Sequence, residues 1–328
     1  MKIVQLDGYA ANPGDMDMRQ WHCIEDADGS MCEFVSYDRT VPELVVERAK
    51  DADAIIINKV LITDDVMSSL PRLRYIGVLA TGYNVVDITS AHRRGIVVTN
   101  IPAYSTASVA QLVFAHILNV ANRVAFHADA VRNGEWGRCQ DFTFTLTPQL
   151  ELAGQCIGII GFGNTGRATA AIAHAFGMRV MVAPTLRDGG SHAQLPEYAV
   201  EAETWEAFFR EADIVSLHCP LTERTRGIIN ARTLNMMKST AMVINTGRGP
   251  LVDEEALASA LNSGRIAAAG VDVLCEEPPK DGSPLLTARN CYVTPHIAWA
   301  TRAARQRLMD IAVENVRAFI RGEDRNCI

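Results

Sequence analysis

The sequence predicts an α/β protein built on two doubly wound parallel sheets, and three observations carry that prediction. Short β-branched apolar runs alternate with helix-like segments along the chain, a pattern that calls for parallel strands joined by crossover helices. The length of 328 residues suits about two domains. A glycine turn of the phosphate-binding kind, Gly161-Phe162-Gly163-Asn164-Thr165-Gly166, occurs in the second half, and the first hundred residues lack one.

That turn follows the apolar run Gln155-Cys156-Ile157-Gly158-Ile159-Ile160 and precedes an alanine-rich stretch closing at Gly177. Strand, tight turn and helix in this order make the phosphate-binding end of a Rossmann-like dinucleotide fold. Gly161 permits the sharp turn, Gly163 has no side chain to hold a pyrophosphate away, and Gly166 lets helix and strand approach closely. Unpaired backbone N–H groups and the helix dipole then face the diphosphate.

Composition narrows the function. With 48% hydrophobic residues the chain can fill two cores, and a net charge of −7 with no Lys/Arg run argues against nucleic acid as a partner. The start, Met1-Lys2-Ile3-Val4-Gln5-Leu6-Asp7, turns acidic too soon for a signal peptide, and no apolar run approaches membrane-spanning length. A cytoplasmic protein without membrane contact is expected. Eight cysteines are scattered without a C-x-x-C pair, which predicts buried thiols, no disulfide frame and no metal site.

In the first hundred residues, Lys2 to Leu6, Phe34 to Tyr37, Ala54 to Val60, Leu73 to Ala80 and Ile96 to Asn100 have the length and content of buried strands. Thr40-Val41-Pro42-Glu43 predicts a helix start with Thr40 as capping hydroxyl, and Thr63-Asp64-Asp65 predicts another. The loop Ala80-Thr81-Gly82-Tyr83-Asn84 follows a strand at its carboxyl end, where open α/β sheets hold ligands; it is either a binding loop or an ordinary glycine turn. Ser105-Thr106-Ala107-Ser108 then opens a long apolar helix through Val109, Val113, Ile117 and Val120. Its apolar breadth suits burial on more than one side, in a monomer core or against a second subunit. Gly134-Glu135-Trp136-Gly137-Arg138 has turn chemistry, with Trp136 either an interface anchor or a packed aromatic.

Arg179 to Ala183 is the second strand of the dinucleotide unit. An acid that hydrogen-bonds the adenosine ribose is expected about 20 residues past the glycine motif. Pro184 stands there instead, Arg187 is near enough to meet a 2′-phosphate, and Asp188 could serve the ribose if the loop curls back. Ile214 to Leu217 leads into His218-Cys219-Pro220-Leu221-Thr222, where His218 reads first as a loop-packing residue. Thr240 to Asn245 ends in Thr246-Gly247-Arg248-Gly249; Asp253 caps the next helix, which stops at Gly264. Ala267 to Val273 is followed by Glu276-Glu277-Pro278-Pro279, and Cys291 to Pro295 by His296. An amphipathic helix then reaches Arg321, with Gly322 as its stop.

Arg248, Glu277 and His296 thus follow three separate strands of the nucleotide-binding half. Reduction of a 2-oxo acid needs this set. A guanidinium fork holds the carboxylate and carbonyl, an imidazolium delivers the proton as hydride arrives, and a carboxylate fixes the imidazole ring and favours its charged form. Singly, each could be a surface ion or a core histidine; together, each beside a Gly or Pro turn, they point to catalysis.

The chain resembles the D-isomer-specific 2-hydroxyacid dehydrogenase family over essentially its full length, and within it the glycerate dehydrogenase / hydroxypyruvate reductase branch. The motifs are Ala80-Thr81-Gly82-Tyr83-Asn84-Val85-Val86-Asp87, the Gly161–Gly166 turn, Asn245-Thr246-Gly247-Arg248-Gly249, Gly270-Val271-Asp272-Val273 through Glu276-Glu277-Pro278, and Thr294-Pro295-His296-Ile297-Ala298-Trp299. The resemblance implies Arg248 as substrate ligand, Glu277 and His296 as the acid/base pair, and backbone N–H groups around Thr81 and Gly82 on the substrate carboxylate. It implies cofactor contacts from Phe162, Asn164 and Thr165 with the glycines, from His218, Cys219, Pro220 and Thr222 and from Gly247, and nicotinamide contacts from Thr246, Arg248 and Asp272. It also implies that the C-terminal helix returns to the first domain. Residues 1–103 with 297–328 would then form a flavodoxin-like substrate domain, and 104–296 the NAD(P)-binding domain, with the active site in a cleft that excludes water on closure.

A homodimer through the nucleotide-binding domain is implied as well. The expected reaction interconverts hydroxypyruvate and D-glycerate with NAD(H), or with NADP(H) given the missing ribose acid. Another small 2-oxo or 2-hydroxy acid, such as glyoxylate or lactate, is the alternative within the class. A non-catalytic dinucleotide sensor, as in the C-terminal binding protein corepressors, is the alternative outside it, and the lack of long charge-rich flanks argues against that reading.

Overall fold

The apolar runs of the first hundred residues become five parallel strands: β1 (Lys2–Gln5), β2 (Glu33–Ser36), β3 (Ala54–Ile57), β4 (Tyr75–Val78) and β5 (Val97–Thr99). Their order is β2-β1-β3-β4-β5. The structure is a computed structural model that describes residues 1–186 and 194–328. Every residue of β3 and β4 is buried, because helices cover both faces of the sheet, and this is why those strands read as unbroken apolar runs. One face carries α1 (Val45–Ala49), α2 (Asp64–Ser68) and α3 (Ile88–Arg93), whose Val45, Met67 and Ala91 pack on Val4, Ile55, Ile57 and Val78.

Thr63 caps α2 and Asp87 caps α3, each side chain accepting a backbone N–H from the first turn. Thr40 does not cap. Its hydroxyl donates to the Leu6 carbonyl and accepts from Arg48 Nη1 at 2.8 Å, so the chain enters α1 through a single 3₁₀ turn, Pro42–Leu44, without a side-chain cap.

The second compact unit spans Thr106–Ala298. It opens with α4 (Thr106–Asn122), α5 (Val124–Arg132) and the one-turn α6 (Glu135–Arg138). Seven parallel strands follow: β6 (Cys156–Ile160), β7 (Arg179–Val182), β8 (Ala199–Glu201), β9 (Ile214–Leu217), β10 (Met242–Asn245), β11 (Ala268–Val271) and β12 (Cys291–Val293). They stand in the order β12-β11-β10-β9-β6-β7-β8 among the described residues. Chain order reverses between β6 and β9, which makes the crevice above these two strands the topological switch point. The crossovers include α7 (Asn164–Ala175), α8 (Trp205–Glu211), α9 (Ala231–Met236) and α10 (Glu254–Asn262). The sequence reading missed β8, an edge strand of three residues with only Ala199 buried, too short and too polar for an apolar run.

The chain ends in α11 (Arg302–Ile320), capped by Thr301 and belonging with Trp299–Ile328 to the first unit. Its Ala304, Leu308, Ala312 and Val316 share a core with Ile3, Trp21, Ile56 and Tyr75. No single helix among the described residues is long and apolar enough to cross a membrane. The eight cysteines are unpaired, but the expectation of buried thiols needs correcting: Cys32 and Cys156 are buried, whereas Cys23, Cys275 and Cys327 are exposed on polar segments.

Helix α4 lies directly on β11 because Gly270 has no side chain: an added Cβ would sit 2.6 Å from Cβ of His116. Gly270→Ala should therefore lower stability by about 1–3 kcal/mol, read from the midpoint of denaturant unfolding. An unchanged midpoint would mean that helix and strand can part without cost.

Candidate active site

Strand β6 delivers the chain into Gly161, whose φ of +96° is open to glycine and costly for other residues. A Cβ there would also meet the backbone nitrogen of Cys219 at 2.4 Å, so the loop after β9 rests on the turn itself. A Cβ on Gly166 would lie 2.1 Å from the Gly161 carbonyl oxygen, which sets the start of α7 hard against the turn. Gly163 differs. Nothing lies within 4 Å of its would-be Cβ, and the helix it precedes has no side-chain cap, so the N–H groups of the first turn face open space.

That space continues into a cavity of about 780 Å³ lined by Phe162, Pro184, His218, Cys219, Pro220, Thr222 and Arg224 among others. Its place at the switch point, the glycine cradle and the uncapped helix fit a dinucleotide. Asn164 and Thr165 are the first residues of α7, beside this opening. Arg187, expected near the ribose, and Asp188 lie outside the described residues. His218 is partly buried and shares a 2.9 Å hydrogen bond between Nε2 and Ser216 Oγ; burial pushes its pKa down to about 4, so the ring is neutral. Burial pushes the Cys219 thiol up to about 11.

The other polar groups follow β10, β11 and β12, which are neighbours in the sheet. After β10, the buried Asn245 side chain shapes the loop, its Nδ2 donating to the Arg248 carbonyl at 2.9 Å and its Oδ1 accepting from Gly247 N at 3.0 Å. Thr246 Oγ1 is buried with no hydrogen-bond partner among the described residues, an orphaned group that suits a polar cofactor atom. The Arg248 guanidinium is exposed, donates to the Gly247 carbonyl at 2.8 Å and enters no ion pair among the described residues.

Gly249 brings the loops together, because a Cβ there would fall 2.0 Å from the Leu274 carbonyl carbon. Leu274 N donates to Glu277 Oε1 at 2.9 Å, and Glu277 Oε2 meets His296 Nδ1 at 2.6 Å. The expected pair is therefore in direct contact and partly exposed. With Nδ1 held by the carboxylate, Nε2 of His296 can give or take a proton.

Asp272 is 1% exposed and sits beneath this turn. Its carboxylate accepts from Thr294 Oγ1 at 2.6 Å, Ile297 N at 2.9 Å and Ala298 N at 2.8 Å, while its carbonyl accepts from His296 N at 2.8 Å. Thr294 Oγ1 also meets Nε2 of His116 on α4 at 3.2 Å, and burial lowers the His116 pKa, keeping that ring neutral. Sequence reasoning missed Asn245, Thr294 and His116 as positioning residues. Asn245 and Thr294 had only their places at strand ends as a signal, and His116 looked like one residue of an apolar helix.

Thr81 and Gly82 belong to the first unit, in the loop after β4. The loop is braced by Thr81 Oγ1 on the Ile101 carbonyl at 2.9 Å and Asn100 Nδ2 on the Thr81 carbonyl at 2.7 Å. Among the described residues, the backbone N–H groups of Thr81 and Gly82 donate to no protein acceptor.

The profile described as D-isomer specific 2-hydroxyacid dehydrogenase, NAD binding domain, matches residues 114–298. The chain belongs to this family. It is 43% identical over 331 residues to a protein of Blautia hydrogenotrophica named hydroxypyruvate reductase, covering 100% of this chain and 99% of that one. It is 40% identical over 299 residues to a glycerate dehydrogenase of Methylorubrum extorquens, covering 90% and 92%. Among solved structures it is similar to the acyclic imino acid reductase Bsp5 in complex with NADPH and D-Arg, at 28% identity, TM-score 0.83 and full coverage of both chains. This 2-hydroxyacid dehydrogenase is thus an oxidoreductase with an NAD-binding domain, in which a bound nicotinamide would supply the hydride chemistry.

The neutral His218 of this dehydrogenase yields a pH prediction. Between its ordinary pKa of 6.5 and about 4, the unfolded chain takes up a proton that the folded one refuses, so stability falls as pH drops through that window. His218→Asn should flatten that part of the Tm-against-pH curve. Equal slopes for both proteins would mean that the ring titrates normally.

Proposed function

We propose that the enzyme interconverts hydroxypyruvate and D-glycerate, with His296 as the proton donor in reduction and proton acceptor in oxidation. The observation that carries this reading is the 2.6 Å contact between His296 Nδ1 and Glu277, on a strand end next to the one that bears Arg248. Glu277 orients the ring; Arg248 binds the substrate's carboxylate and carbonyl as a planar fork; the N–H groups of Thr81 and Gly82 receive the carboxylate. Thr246 and Gly247, with Asp272 behind them, serve the nicotinamide end, and the Gly161–Gly166 turn with the His218–Thr222 loop serves the diphosphate and adenosine. The names of the two relatives support the choice of substrate. Eight unpaired cysteines support a cytoplasmic setting.

Initial rates on hydroxypyruvate, glyoxylate and pyruvate test the substrate. Hydroxypyruvate should be turned over fastest, and Arg248→Ala should cost on the order of several kcal/mol in kcat/KM. Faster turnover of glyoxylate or pyruvate would reassign the substrate, and unchanged turnover in the variant would remove Arg248 from the mechanism. Dinucleotide binding without turnover of any of the three would favour the sensor reading.

The enzyme is a homodimer through the nucleotide-binding unit. Support comes from large apolar side chains left exposed on α5, α6 and the segment after them: Val124, Phe126, Trp136 and Phe142, the last 89% exposed. Helix α4, for all its apolar breadth, buries Val113, Phe114 and Ile117 in its own core. Sedimentation at micromolar concentration should give a dimer that Phe142→Asp weakens; a monomeric parent protein would end the proposal.

A further inference from the structure

Strands β1 and β2 pair so that Gln5 stands opposite Ser36 and Ile3 opposite Phe34. Side chains alternate along a strand, so these four share one face of the sheet, the face whose core is built with α11. Gln5 is wholly buried at the carboxyl end of β1. Its Oε1 accepts from Ser36 Oγ at 2.9 Å, and its Nε2 has no hydrogen-bond partner among the described residues. Turning the amide over would hand Nε2 to Ser36 and orphan Oε1 instead, so one end of this buried amide is unsatisfied in either orientation. Such a group costs stability until something polar completes it.

Gln5 lines a cavity of about 350 Å³, a size that takes a small ligand. Gly8 lies directly on the amide, because an added Cβ would fall 2.9 Å from Gln5 Cδ. Past the strand ends, Gly8 N donates to the Tyr37 carbonyl at 2.9 Å and Tyr9 N to the Asp38 carbonyl at 3.2 Å. These bonds set Asp38 beside Tyr9, whose ring is covered by the Arg39 guanidinium at 3.9 Å. Asp38 also lines the cavity, is exposed, and enters no ion pair among the described residues. The rest of the wall includes Met18 and Phe34, and Trp21 stacks on the Phe34 ring at 5.0 Å and fixes it. One cavity thus holds an unsatisfied buried amide, a carboxylate at its rim and an apolar wall.

We propose that this cavity binds a free α-amino acid with an apolar side chain, its carboxylate accepting from Gln5 Nε2, its ammonium paired with Asp38 and its side chain against Met18 and Phe34. A plain carboxylic acid would meet the Asp38 charge with no cation to offset it, and a plain amine would leave the Gln5 amide unsatisfied. A zwitterion answers both. The residues of this site belong to the first unit and take no part in the acid/base group or the dinucleotide crevice. The proposal therefore does not depend on which 2-oxo acid is reduced.

The test is calorimetric titration of the parent enzyme with L-methionine, L-phenylalanine and glycine, and with 3-phenylpropionate and phenethylamine, which lack the ammonium and the carboxylate respectively. L-Methionine or L-phenylalanine should bind with a Kd of about 0.1–1 mM, and glycine and both truncated probes about tenfold more weakly or worse. Gln5→Leu should weaken the amino acid about tenfold, and Asp38→Asn about three- to tenfold. Gln5→Leu should also unfold at the same or a higher denaturant midpoint, because leucine removes the orphaned amide. Asp38 is exposed, so Asp38→Asn tests the site without risk to the fold. Arg248→Ala should bind the amino acid as the parent does. No amino acid bound below about 10 mM would overturn the proposal, as would 3-phenylpropionate binding as tightly as L-phenylalanine. Loss of binding in Arg248→Ala with none in Gln5→Leu would overturn it by moving the ligand to the substrate site. A lowered midpoint in Gln5→Leu with binding intact would overturn it too, because the amide would then serve the fold alone. A failed hydroxypyruvate assignment would leave all of these measurements unaffected.

Discussion

The buried carboxylate of Asp272 is the group on which the placement of His296 and Glu277 depends. Burying an unpaired carboxylate is costly, so its oxygens must find donors, and they find Thr294 Oγ1 and the N–H groups of Ile297 and Ala298. These donors come from the turn around His296. His296 has φ of +55°, a left-handed conformation that costs a non-glycine residue on the order of 1 kcal/mol or more. The hydrogen bonds from residues 296–298 to Asp272 offset that strain and aim the imidazole at Glu277. The His296 side chain is thereby fixed through its backbone by a group at the end of the preceding strand, distant in sequence and adjacent in space.

Parallel pairing makes this economical in chain. Every strand of β10, β11 and β12 ends on the same edge of the sheet, so Arg248, Glu277 and His296, far apart in sequence, share that edge without any loop having to travel far. Close packing then sets the remaining distances. The missing side chain at Gly249 lets one loop lie on Leu274, whose N–H holds Glu277 Oε1, and the missing side chain at Gly270 seats His116 of α4 against β11, within reach of Thr294. Glycine here acts through absent volume.

At the switch point the same logic serves a ligand. Gly161 and Gly166 let three backbones converge, while the empty space beside Gly163 leaves the helix N-terminus open to an anion. The lining of that crevice is assembled from different loops, Pro184 and Leu186 after β7 and Arg224 after β9.

Much of this was legible in the order of residues. Strand and helix alternation, the glycine spacing and the positions of Arg248, Glu277 and His296 beside turns are local signals, because a strand's side-chain content and a turn's φ requirement act over a few residues. The sequence by itself determined the α/β class, the glycine turn after β6 and which residue types stand at the ends of β10, β11 and β12. Tertiary structure alone decided the strand order, the 2.6 Å contact of His296 with Glu277, the burial of Asp272 under the turn that carries His296, the placement of His116 against Thr294 and the reach of Arg224 to Leu186. It also decided that Thr40 would bond to Leu6 and not cap its helix, and that the three-residue β8 would pair at an edge. The reason is the same in each case: these are contacts between segments distant in sequence, and their energies depend on register, burial and close packing that no local pattern encodes.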